Sequence, residues 1–318
     1  MTPQKIRNGD VELEVISAGR GPLILCVHGW PELAHSWRHQ SSYFAARGYQ
    51  VAALNVRGYG GSSNPREVAA YTMRELAGDV AAVAQALSSQ PAILFGHDWG
   101  APIVYHTALL HPQQFRAVAG LSVPYAPGSG TSSLDLWRAL YPDRFFYQLA
   151  IEPPGNVEAE MSADIASGLR KIYFALSGNA PIDEWLKHKP ADAGLLDDLV
   201  DPQPFPAWLS DDDLQIYISA FQQSGFHGPF NRYRAQTLDA ADLTDIQGSR
   251  ISQPCCFIGG ERDAVRHFIP GGDLYADPGA GCEDFRGTTL IPEVGHWVQQ
   301  EAPEATNAAL EAFLNSLD

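Results

Sequence analysis

The sequence predicts a doubly wound α/β protein, a mostly parallel sheet whose strand order is interrupted by a helical cap. Three observations lead there. Short apolar runs alternate with helix-like runs from residue 22 to residue 123, the rhythm of βα units that build a parallel sheet. That rhythm stops over residues 124–243 and resumes towards the C-terminus. Between an apolar run and a helical run lies Gly96-His97-Asp98-Trp99-Gly100, the layout of a sharp strand-to-helix turn with small residues on either side of its centre.

Residues 10–19 (DVELEVISAG) alternate as a half-buried strand does. Residues 22–28 (PLILCVH) form a continuous apolar run ending at Gly29, as a strand buried on both faces would. A helical pattern over 36–46 stops at Gly48, and 49–56 reads as a strand. Residues 73–87 are an amphipathic helix, 92–95 the strand before the turn, 101–110 the helix after it, and 115–123 a further strand. The stretch from 124 to 243 is rich in aromatics, Pro and Asp, with helical pieces at 165–176 and 211–223 and no strand pattern. Strands return at 254–260 and 288–292, and a helix over 306–317 closes the chain. The expected division is a core of residues 1–124 plus 244–318 and a cap of residues 125–243. Such a cap falls over the C-terminal ends of the strands, where open α/β sheets bind ligands.

Composition narrows the partners. The 318 residues carry a formal net charge of −16, which repels phosphate and argues against nucleic acid and anionic membrane surfaces. Residues 1–5 lack the apolar centre of a leader, and no run reaches the length of a membrane span, so a cytoplasmic protein is expected. Of the four cysteines, Cys26, Cys255 and Cys256 lie in strand-like runs and Cys282 in a polar loop that leaves room for exposure; buried free thiols are expected. Their spacing matches no zinc site. No metal and no organic cofactor is called for, and the oligomeric state stays open between monomer and homodimer.

The chemistry starts at the centre of the turn. An acyl hydrolase would carry Ser there; this chain carries Asp98. A carboxylate nucleophile forms an alkyl ester, so it attacks saturated carbon rather than a carbonyl. The following helix N-terminus favours its ionised form. His296, in Glu293-Val294-Gly295-His296-Trp297 after the last strand, stands where a general base belongs in the order nucleophile, acid, histidine. Asp263 follows the strand 254–260 and suits the carboxylate that orients the imidazole, with Glu261 as its competitor. The loop His28-Gly29-Trp30-Pro31 and the residue after the nucleophile would supply an oxyanion hole from the backbone N–H groups of Trp30 and Trp99. His28 itself reads as a residue that shapes the loop.

These segments together resemble epoxide hydrolases of the α/β-hydrolase fold, particularly the soluble plant and bacterial type. The resemblance rests on HGWPE (28–32), SWRHQ (36–40), NVRGYGGSS (55–63), GHDWGAP (96–102), FFYQL (145–149), GFHGPFNRYR (225–234), GERDAV (260–265) and GHWVQQEAP (295–303), and it spans nearly the whole chain. The first and fourth of these are shared with dehalogenases; the two cap motifs are more specific. The resemblance implies that Tyr147 and Tyr233 hold the oxygen of a small apolar epoxide. A phenol suits that task because it donates while neutral at physiological pH. One departure stands out: Arg232 occupies a position where the family often has an aromatic, and is expected to place a charge at the pocket rim. The implied activity is conversion of epoxides to vicinal diols through an ester on Asp98. Two alternatives remain open at this point. A haloalkane or haloacid dehalogenase uses the same Asp–His–Asp set, and a receptor on this fold would bind a small molecule without turnover.

Overall fold

The computed structural model describes residues 3–317. Its elements, in chain order, are β1 (Pro3–Asn8), β2 (Val11–Gly19), β3 (Leu23–Val27), α1 (Arg38–Ala45), β4 (Gln50–Leu54), α2 (Met73–Leu87), β5 (Ala92–His97), α3 (Gly100–Leu110) and β6 (Phe115–Leu121). Then come α4 (Ser133–Leu140), α5 (Tyr147–Ile151), α6 (Asn156–Ala163), α7 (Ile165–Ala175), α8 (Asp211–Ser224), α9 (His227–Arg234) and α10 (Gln236–Asp242). The chain returns to the sheet with β7 (Ile251–Gly260) and β8 (Cys282–Ile291) and ends in α11 (Val298–Glu301) and α12 (Pro303–Asn315).

The sheet order is β1-β2-β4-β3-β5-β6-β7-β8. β2 is antiparallel to both β1 and β4, while the pairings from β4 through β8 are parallel. Alternation across β3 explains its unbroken apolar run. Leu23, Leu25 and Val27 pack with Leu76, Val80 and Val83 of α2 and with Ile103 and Val104 of α3. Ile24 and Cys26 face the other way, towards Phe44 of α1 and Leu310, Phe313 and Leu314 of α12. With helices on both faces, neither side of the strand meets water. The edge strands β1 and β8 keep more polar and exposed positions, which blunts edge-to-edge association.

Local signals account for several helix starts. The Thr72 hydroxyl accepts from the Glu75 N–H at the head of α2. Ser210 does the same for the Asp213 N–H of α8, and Asp211, Asp212 and Asp213 sit in its first turn, where the helix dipole favours negative charge. α9 has no such logic. Its sequence HGPFNRYR is poor helix material, yet every residue from Gly228 to Arg234 is buried, so tertiary packing imposes the helix.

Two expectations need correction. β8 begins at Cys282 rather than at 288, and Cys282 is a buried strand residue rather than part of a polar loop. Pairing explains both: Ile251 donates to the Gly281 carbonyl (2.9 Å) and Cys282 lies opposite Ile251, so the sheet captures a segment whose polar residues face out. The hairpin partner β1 carries no alternation strong enough to read, since only Ile6 is buried in it.

Candidate active site

The loops that follow β3, β5, β7 and β8 converge at one end of the sheet. Between β5 and α3, Asp98 adopts φ 51°, a left-handed conformation that costs a non-glycine residue about 1–3 kcal/mol. The backbone over-determines it: the Asp98 N–H donates to the Leu121 carbonyl (3.3 Å) and the Ala101 N–H to the Asp98 carbonyl (3.0 Å). A Cβ on Gly96 would collide with the Gly100 carbonyl, and one on Gly100 with the Val27 carbonyl, so the close approach of strand, turn and helix requires glycine at both places. The turn lifts the carboxylate off the sheet. Its Oδ1 accepts from the Trp30 N–H (2.7 Å) and its Oδ2 lies 3.3 Å from His296 Nε2. The Trp99 N–H, one residue on, has no acceptor among the described residues.

His296 sits in the loop after β8, and its N–H donates to the Leu176 carbonyl at the end of α7 (2.8 Å). Nδ1 donates to Asp263 Oδ2 (2.9 Å). Asp263 is fully buried; its Oδ1 accepts from the Val265 N–H (2.9 Å), and the Tyr275 hydroxyl lies 2.6 Å from Oδ2. Glu261, two residues earlier, is exposed instead. Burial works against an imidazolium at His296, but the charge and hydrogen bond of Asp263, followed by those of Asp98, outweigh it and raise the group to about 10. Asp98, His296 and Asp263 thus form one connected line.

Behind that line lies a layer that sequence reasoning did not single out. His97 Nε2 lies 2.8 Å from the His296 carbonyl and its Nδ1 2.7 Å from Glu32 Oε2. Glu32 Oε1 accepts from Gln299 Nε2 (2.8 Å) and Gln300 Nε2 (3.1 Å). Burial alone would raise the Glu32 carboxyl; the facing His97 ring holds it well below the usual carboxylate range. His28 shapes its loop as expected, its Nε2 accepting from the Val56 N–H (3.0 Å). Glu301 grips the histidine loop: it accepts from the N–H groups of Gly295 (3.1 Å) and Trp297 (2.9 Å), on either side of His296, and from the Gly178 N–H (2.7 Å). Glu32 and Glu301 both fall within segments that carry the resemblance, which was the available signal. Replacing Glu301 with Ala leaves three part-buried backbone donors unpaired. We expect a loss of about 3 kcal/mol in urea unfolding, at 1–3 kcal/mol per unmet group with partial relaxation; a loss under about 0.5 kcal/mol would refute the clamp.

Facing Asp98 across a cavity of about 440 Å³ stand the cap residues. Tyr147 opens α5 and Tyr233 lies in α9, with ring centroids 5.7 Å apart. The Tyr233 ring meets the Trp99 ring edge-on at 5.2 Å, and Tyr147 packs on Trp185 (5.4 Å) and Phe268 (5.8 Å). Burial raises both phenols, and the Asp98 charge adds to it, so both remain protonated donors. The cavity wall is mostly apolar, with Trp99, Pro102, Val123, Leu136, Trp137 and Phe268 contributing.

Arg232 does line the cavity, but as a buried and paired group rather than a bare charge at its rim. It is 3% exposed, pairs with Asp239, donates from Nη1 to the Tyr71 carbonyl (2.6 Å) and lies over the Trp99 ring at 4.8 Å. An unpaired buried guanidinium would be costly; the carboxylate of Asp239, whose other oxygen accepts from the Met73 N–H (2.7 Å), compensates it. The residue therefore ties α9 and α10 to the head of α2. Among the described residues no cluster of His, Cys, Asp and Glu is arranged to hold a metal, and no helix is long and apolar enough to cross a membrane.

Comparison with known proteins agrees with this geometry. Residues 22–165 match the family model of the alpha/beta hydrolase fold. Epoxide hydrolase A of Mycobacterium tuberculosis is 37% identical, the match covering 100% of this chain and 98% of that protein. Among solved structures, an epoxide hydrolase from an endophytic Streptomyces superposes with a TM-score of 0.94 at 37% identity, covering 99% of this chain and 96% of the other. Epoxide hydrolase A from Mycobacterium thermoresistibile gives 0.92 at 36% identity, covering 100% and 99%.

Proposed function

This chain belongs to the epoxide hydrolases of the α/β-hydrolase fold, and from that membership we propose that it converts epoxides to vicinal diols through an ester on Asp98. One observation carries the reading: two protonated phenols stand on the cap side of the Asp98–His296–Asp263 line, Tyr147 lining the same cavity as Asp98 and Tyr233 packed between Tyr147 and Trp99. An opened epoxide leaves as an alkoxide, which needs a proton or strong donors, whereas a leaving halide does not.

In the first step Asp98 attacks an epoxide carbon with Oδ2, the oxygen not held by the Trp30 N–H. The ring C–O bond breaks and its electron pair takes a proton or hydrogen bond from the tyrosines. Oδ1 becomes the ester carbonyl, already against the Trp30 N–H. His296 then removes a proton from water, which adds to the ester carbon. The N–H groups of Trp30 and Trp99 hold the resulting oxyanion. Collapse releases the diol, protonated by His296, and the second water proton restores the tyrosine. Esterification also removes the Asp98 charge and hydrogen bond that help hold His296 protonated, which favours the neutral form that acts as base. Trp30 and Trp99 act through backbone atoms, so side-chain substitution reports poorly on them.

Residues 125–243 act as the cap, closing the cavity over the core and supplying both tyrosines. Its size and apolar wall suit an epoxide with a small to medium apolar body. All four cysteines are free and buried, in keeping with a reducing, cytoplasmic setting.

The test pairs diol formation from styrene oxide with halide release from chloroalkanes. We expect diol and no halide. Tyr147→Phe and Tyr233→Phe should each slow ester formation by about 10- to 100-fold, and the double variant should nearly stop it. Near-normal ester formation in the double variant, or halide release by the native chain, would overturn the reading.

A further inference from the structure

The two tyrosines are not equivalent in their surroundings. Gln148 Nε2 lies 3.0 Å from the Tyr147 hydroxyl, and Gln148 Oε1 lies 3.1 Å from Gln236 Nε2. Gln236 Nε2 is also 2.9 Å from the Tyr233 carbonyl. All three contacts are buried, and the orientation of both amides follows from the last of them. A backbone carbonyl only accepts, so Gln236 must present its nitrogen there. That nitrogen's second hydrogen points to Gln148, which must answer with its oxygen. Gln148 is left with its NH2 towards Tyr147, and an amide NH2 only donates. The phenol oxygen is therefore an acceptor on that side, and its own hydrogen is free to point elsewhere, into the cavity shared with Asp98. The Tyr233 hydroxyl has no such amide donor among the described residues; the Trp99 side chain faces it instead.

We propose that Gln148, held by Gln236, makes Tyr147 the tyrosine that gives up its proton to the epoxide oxygen, while Tyr233 serves as a hydrogen-bond donor only. The proposal rests on the two-tyrosine reading above. In the step concerned, the Asp98–carbon bond forms, the ring C–O bond breaks, and its electron pair takes the Tyr147 proton. The negative charge that begins on Asp98 ends on the Tyr147 oxygen. At that moment the Gln148 N–H bond changes from a neutral to a charge-assisted one and strengthens. It is stronger in the transition state than in the ground state, which is the condition for acceleration. Gln148 is a positioning residue, since it acts through Tyr147, and Gln236 positions Gln148.

The experiment measures ester formation in a single turnover of styrene oxide by rapid quench and mass spectrometry of the intact chain, with KM measured alongside. Gln148→Leu is expected to slow ester formation by about 10- to 100-fold with KM changed less than about 3-fold. Gln236→Leu, which frees Gln148 to rotate, is expected to slow it by a smaller factor. The near-isosteric Gln148→Glu keeps the packing but replaces the donor with an acceptor, and should be at least as slow. In a Tyr147→Phe background, Gln148→Leu should have almost no further effect; in a Tyr233→Phe background it should keep its full effect. An equal Gln148→Leu effect in both backgrounds would mark a merely structural role and overturn the proposal. So would a Tyr233→Phe variant slower in ester formation than Tyr147→Phe. If Tyr147→Phe itself left ester formation unchanged, the two-tyrosine premise would fail first, and that outcome is distinct from the other two.

Discussion

Asp98→Ala is expected to abolish diol formation, with a loss of about 10⁴-fold or more, because the covalent route disappears rather than one of its aids. No neighbouring carboxylate is free to take over: Asp239, which also lines the cavity, is held by Arg232 and the Met73 N–H. Asp263 is fully buried behind His296 with both oxygens engaged, and Glu32 is occupied by His97, Gln299 and Gln300. The cavity should survive the change, since its wall is built from cap and core aromatics that do not depend on the carboxylate. Backbone strain makes the choice of replacement informative. Asp98 sits at φ 51°, which Asp tolerates better than Ala and Gly tolerates best. Asp98→Gly should therefore be as inactive as Asp98→Ala yet melt higher, by an amount in line with about 1 kcal/mol of relieved strain. Activity by product assay and melting by circular dichroism measure the two effects separately. Turnover within about 100-fold of native in either variant would remove Asp98 from the role of nucleophile.

Much of this site was legible because its local chemistry is written in contiguous residues. The glycines around Asp98 are there for close approach, and the apolar run before them is a strand buried on both faces. The same holds for the late histidine, whose place after a strand follows from chain order. What could not be read was what distant segments do to each other. Arg232 reads in sequence as a bare charge near the pocket because its partner, Asp239, and the Tyr71 carbonyl become neighbours only when the cap folds onto α2. The polar flanks of Cys282 left room for exposure, and only the pairing of β8 with β7 covers it. The helix α9 was invisible to propensity, with Gly228 and Pro229 in its first turn, although its motif had been noticed. The amide chain through Gln148 and Gln236 joins residues 88 positions apart, a separation at which sequence patterns carry no hydrogen-bond information.

His296→Gln should leave the first step working and stop the second. Glutamine retains polar atoms near Asp98 but cannot accept a proton, and general base catalysis contributes about 10²- to 10⁴-fold to such a step. The ester should accumulate, visible as a gain in mass equal to that of the epoxide, on a chain that forms diol only slowly. The pH dependence gives a sharper result. In the free enzyme His296 is held protonated up to about 10, against burial, chiefly by Asp263 and further by Asp98. Once Asp98 is esterified its share is lost, so the group titrates below that value in the intermediate. The neutral form is the working form. Ester hydrolysis should therefore fall as pH drops through the intermediate's pKa and level off above it, whereas His296→Gln should lose that inflection altogether. Single-turnover decay of the ester across the neutral and alkaline range measures both. Rapid hydrolysis without accumulated ester in His296→Gln would exclude the histidine as base. An inflection that persisted in that variant would assign the titration to another group, and Glu301, which burial raises to about 7 beside the same loop, would be the residue to change next.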